Sequence, residues 1–169
     1  MKKLNLILAL ALSFVTSAMA QDSLIGKWTI TYEKKGLCAK IYYTFDNESE
    51  GGIFCQCDIS YSNTSDRMDI QGAVQGSMRG TFTCDGNRLK AKWNKKTFEW
   101  QYVGEPSGKI NGRKNKSMTK NLRKNLAECV KEMLGSEDEY EFRFEDGKLI
   151  LTTVSPKGET ETETWERVE

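Results

Sequence analysis

The feature that most constrains this chain is an alternation of apolar and polar side chains, repeated in short segments that tight-turn signals divide. Trp28, Ile30 and Tyr32 alternate with Lys27, Thr29 and Thr31, and Ile41, Tyr43 and Phe45 repeat the pattern. Ile53, Cys55, Cys57, Ile59 and Tyr61 then share one parity against Gln56, Asp58 and Ser60. Successive side chains of a strand point to opposite faces, so each segment reads as a strand with one buried face. The polar, glycine-ended stretch 46–52 should join the second and third segments as a hairpin.

The pattern continues through Met68–Ile70 into a region where Gly72, Gly76 and Gly80 recur every four residues, which predicts bulges or sharp bends in a curling sheet. Phe82 and Cys84 lead to the turn Asp85-Gly86-Asn87; Leu89, Ala91 and Trp93, then Phe98, Trp100 and Tyr102, follow. The segment Glu105 to Ser117, with Pro106, Gly108 and Gly112, reads as a long loop. After it the period changes to three or four residues: Met118, Leu122, Leu126, Val130 and Met133 predict one amphipathic helix of about sixteen residues, capped by Ser117 or Thr119 and stopped at Gly135. Strands return with Tyr140, Phe142 and Phe144, turn at Asp146-Gly147, run Leu149 to Val154, and turn again at Pro156-Lys157-Gly158 into Glu159 to Val168. The expected fold is mainly β, an antiparallel sandwich or barrel of about eight or nine strands with one α-helix.

The first twenty of the 169 residues read as an export signal, with Lys2-Lys3, an apolar run from Leu4 to Val15, and Ala18-Met19-Ala20 as the cleavage site. The expectation is a single domain over 21–169, secreted or periplasmic. Gln21-Asp22-Ser23 follow the cleavage site, with no cysteine there to carry a lipid anchor. The apolar run is shorter than the roughly 20 residues of a spanning helix. Without the two signal lysines the chain holds 23 basic and 24 acidic residues, so no global basic field suggests nucleic acid. The chain has no histidine, which excludes Ser-His-Asp and Cys-His catalytic sets and histidine-ligated zinc or haem. Five cysteines remain, Cys38, Cys55, Cys57, Cys84 and Cys129; the odd count leaves at least one thiol outside any intrachain bridge. The Cys55-x-Cys57 spacing places two small side chains on one strand face and has no second pair at metal-ligand spacing.

Two segments bear on the choice between sandwich and barrel. Gly26-Lys27-Trp28 opens the first strand and Thr164-Trp165-Glu166-Arg167-Val168 closes the last; Asp85-Gly86-Asn87-Arg88-Leu89 and Phe144-Glu145-Asp146-Gly147-Lys148-Leu149 lie between them. Together these resemble the small bacterial lipocalin-like domains of the calycin superfamily. The resemblance implies a β-barrel in which a basic side chain of the last strand packs across the tryptophan of the first, here Arg167 on Trp28, at the closed end. Arg167 shares its parity with Trp165, Glu163 and Glu161, so either a bulge switches the face or Arg167 has another role.

Three regions are candidates for function. Tyr32, Tyr43, Phe45, Tyr61, Trp93, Trp100, Phe142 and Phe144 have the parity of inward residues, and would either line a cavity for a small hydrophobic or amphipathic ligand or fill a solid core. Lys109 to Lys124 holds seven basic residues and no acid, whereas Glu128 to Asp146 holds eight acids against two basic residues. The basic run suits an anionic surface or an acidic protein, or is a solvated helix end. Carboxylates abound in Glu159-Thr160-Glu161-Thr162-Glu163, the ordinary composition of an exposed strand, and no residue takes a catalytic role. The leading expectation is a non-catalytic secreted binding protein without cofactor or metal. Its alternative is a solid barrel that binds other proteins through the Glu105 to Ser117 loop.

Overall fold

A computed structural model describes residues 24–46, 51–133, 138–154 and 160–169. The expected export signal, the helix stop at Gly135 and the turn at Pro156-Lys157-Gly158 lie outside these residues. The strands are β1 (Gly26–Lys34), β2 (Leu37–Asp46), β3 (Gly52–Thr64), β4 (Met68–Asp85), β5 (Arg88–Trp93), β6 (Glu99–Tyr102), β7 (Ser107–Ile110) and β8 (Arg113–Lys114). The helix α1 (Lys116–Met133) follows, and then β9 (Asp138–Glu145), β10 (Lys148–Val154) and β11 (Thr160–Val168).

Eight of these strands close into an antiparallel barrel. β1 pairs with β2, β2 with β3, β3 with β4, β4 with β5, β5 with β9, β9 with β10, β10 with β11, and β11 with β1. Closure removes the free sheet edges that an open sandwich would expose. Cross-strand partners share a face, so the inward residues stack in rows: Trp28, Tyr43, Cys55 and Met78 form one, and Gly26, Phe45, Ile53, Gly80 and Trp93 the next.

β4 explains how a ring of eight accommodates eleven strands. Its 18 residues pair with β3 in unbroken register from Asp69 to Thr81. Along its other edge it serves β7 at Met68–Gln71, β6 at Val74–Ser77 and β5 at Gly80–Asp85. The glycines at 72, 76 and 80 therefore mark no bulge against β3. Gly72 instead allows close packing: a Cβ there would lie 2.9 Å from Leu126 Cδ1 and 3.1 Å from Leu122 Cδ2 of α1.

The segment expected to be a long loop is a β-hairpin. Ile110 pairs with Arg113 around Asn111-Gly112, whose φ values of 49° and 75° fit the two-residue turn matching strand twist. The same positive-φ pair closes β1–β2 at Lys35-Gly36 and β9–β10 at Asp146-Gly147. Asn115 caps α1, its Oδ1 accepting from the Met118 N–H at 3.0 Å, so neither Ser117 nor Thr119 does. Thr119 is buried in the first turn, where its hydroxyl donates to Asn115 O and accepts from the Gly108 N–H. That bond fixes the helix to β7. At 18 residues α1 is slightly longer than its periodicity predicted, and its buried stripe is Leu122, Leu126 and Val130.

Candidate functional site

One end of the barrel is sealed. Trp28 is 1% exposed and its indole N–H donates to Leu24 O at 2.8 Å, while Leu24 itself is fully buried. Arg167 sits directly across the ladder from Trp28, its guanidinium 5.4 Å from the indole centroid, and donates to Ile25 O at 2.9 Å. No bulge is needed to place it there. The parity that Arg167 shares with Glu163 is also satisfied: the Glu163 carboxylate accepts from Tyr32 OH and, at 3.1 Å, from the Trp165 indole N–H. Burial first, and then this carboxylate, push the Tyr32 phenol well above its ordinary value.

Above the seal the interior is solid. Tyr43 stacks on Trp165 with centroids 4.5 Å apart, and Trp93 lies 5.7 Å from Tyr43. Phe45 meets Phe82 edge-on at 5.1 Å. Tyr43, Phe45, Trp93 and Phe142 are all buried in the base of the barrel. Phe144 lies at the sealed end, 5.8 Å from Trp28, and is 39% exposed. Trp100 stands on β6, outside the ring, against Tyr102 and beneath the Lys131 ammonium. Tyr32 is hydrogen-bonded near the mouth, and Tyr61 alone of the eight lines the largest cavity described.

That cavity, of about 800 Å³, opens at the opposite end, between the β1–β2 turn and one flank of α1. Leu37, Tyr61 and Ile70 make its floor. Met118, Leu122, Leu126 and Cys129 make the helical wall. Polar groups confine themselves to the rim, with Lys34 and Lys35 on the turn and Asn115, Ser117, Asn121 and Asn125 on the helix. Local bonds hold each wall. Ser62 N–H donates to Gly36 O at 2.9 Å, tying the turn to β3. On the far side of α1, Tyr102 OH donates to Arg123 O at 3.0 Å and Arg123 bridges Glu105 at 2.6 Å.

The parity of a strand and the stripe of a helix give the face of each residue, but this cavity depends on how far α1 stands off the barrel, which local pattern does not encode. The signal that was available is the pair of glycines, Gly72 and Gly108, beneath the helix. A Cβ at Gly108 would lie 2.7 Å from Met118 Cγ. Lys35-Gly36 is a second missed signal, a dipeptide that permits the tight turn of the opposite wall.

Burial, with Glu132 and Glu128 nearby, pushes the Cys129 thiol up, so at neutral pH it is a neutral thiol rather than a nucleophilic thiolate. Burial likewise pushes Cys57 and Cys84 up to about 11. All five cysteines are unbridged. Among the described residues no group of three or more Cys, Asp or Glu side chains is placed to hold a metal ion, and no helix is long and apolar enough to cross a membrane. No family model, curated protein or solved structure matches this chain.

Proposed function

We propose that the protein binds a small amphipathic molecule with an apolar body and an anionic head, held in the barrel mouth beneath α1. The observation that carries this reading is the segregation within the mouth cavity: apolar floor and helical wall, cationic and amide rim. Its volume of about 800 Å³ lies in the range of sites that enclose small ligands. A buried methylene contributes ~0.8 kcal/mol, so eight of them supply roughly 6 kcal/mol before the cost of immobilisation. Lys34 and Lys35 then favour a carboxylate or phosphate over a neutral head. This is a lipocalin-like use of the barrel displaced toward its rim, above the buried aromatic base.

Titration with a fluorescent long-chain carboxylate, and with the alcohol of the same chain as competitor, tests the reading. The expected result is saturable binding that Leu126→Trp weakens by about tenfold or more through filling the cavity, with unchanged circular dichroism. Replacing Lys34 and Lys35 by glutamate should weaken the carboxylate and leave the alcohol unaffected. Failure of every chain length to bind, or indifference to Leu126→Trp, overturns it.

A further inference from the structure

The basic run that begins on the β7–β8 hairpin is sorted by the fold into two sets. Lys109 pairs with Asp69 at 3.7 Å, Arg123 with Glu105 at 2.6 Å, and Lys124 with Glu128 at 3.7 Å. Arg113, Lys114, Lys116 and Lys120 are exposed, and none of them forms an ion pair among the described residues. The register sharpens this imbalance, because Lys109 and Lys114 are direct cross-strand partners. Like charges directly opposite each other destabilise a ladder; Asp69, across the other ladder, relieves Lys109 and leaves Lys114 without a carboxylate among the described residues. At the hairpin tip Ile110, directly across from Arg113, is 40% exposed.

We propose that the β7–β8 tip and the first turns of α1 dock on an anionic lipid bilayer. An exposed aliphatic side chain opposite Arg113, at a tip that also carries Lys114 and leads to Lys116 and Lys120, fits the bilayer boundary, where the cations meet phosphate headgroups and the aliphatic tip enters the acyl region. A purely ionic partner would leave Ile110 unused. The hairpin continues through Asn115 into the helix that walls the mouth cavity, so docking at the tip sets the mouth against the headgroups. This surface stands independently of the cavity reading and survives its failure.

Co-sedimentation with phosphatidylcholine vesicles, with and without phosphatidylglycerol, tests the proposal on the full domain. The protein should sediment with the anionic vesicles alone and detach as salt rises. Neutralising one cation weakens such binding by about fivefold, so Lys114→Glu with Lys116→Glu should nearly abolish it. Ile110→Ser should weaken binding without changing its salt dependence. Reversing Lys95 and Lys96, exposed on the 3₁₀ turn between β5 and β6, serves as the control. Equal binding to neutral vesicles, no binding to anionic ones, or equal loss in the control overturns the proposal; the second result would turn attention to an acidic protein partner.

Discussion

Trp28 joins three parts of the chain at one ring: the segment before β1 through its bond to Leu24 O, the last strand through Arg167, and β9 through Phe144. Trp28→Ala empties a fully enclosed site and should cost about 3 to 5 kcal/mol in urea unfolding. A loss under 1 kcal/mol would show that the seal is not structural. Near the mouth, Tyr32 offers a pH-dependent test. Its phenol is neutral when protonated and its folded value lies above the ordinary 10, so the folded state holds the proton more tightly than the unfolded chain. Its contribution is complete below pH 10 and declines as pH rises above it. Stability measured by urea unfolding should therefore fall from pH 10 upward, with a shallower fall in Tyr32→Phe. The Trp28–Arg167 contact was expected only through the family resemblance, and the parity of Arg167 with Glu161 and Glu163 argued against it until the register placed it across from Trp28. The roles of Tyr43 and Trp93 were not legible, because alternation assigns a face and says nothing about height along the barrel.

At the scale of elements, α1 has the most consequence for function, and it is held by specific contacts at its start. Asn115→Ala removes the cap and should cost about 1 kcal/mol by thermal or urea unfolding. If the cap also sets the helical wall, the same variant should loosen long-chain carboxylate binding more than it lowers global stability. The helix itself was readable from Met118, Leu122, Leu126 and Val130, which recur at the period of a buried stripe. The β7–β8 hairpin was not, because strands of four and two residues are too short to show alternation, and Pro106 with Gly108 read as loop. What specifies β7 is nonlocal: it borrows the edge of β4 at Met68–Gln71 and the hydroxyl of Thr119. The close packing at Gly72 was missed for a similar reason, since a strand seen alone does not reveal what packs over it.

For the whole molecule, the order of strands and their turns follows from local pattern, and closure follows from the pairing of β1 with β11, which no window of sequence contains. Closure also divides the molecule mechanically. Toward the sealed end β1 closes on β11 and β4 on β5, whereas toward the mouth the far edge of β4 is given to β6 and β7, which pair with no strand of the β9–β11 half. There α1 packs against β4, β7 and β3. Displacing that wall would break the bonds that tie α1 to β6 and β7, Tyr102 to Arg123 and Gly108 to Thr119, while the ring below keeps its register. The divided edge of β4 thus sets two regimes of cohesion: if a ligand occupies the mouth as proposed, its exchange would require the contacts of α1 to part and would leave the ladders of the ring below intact.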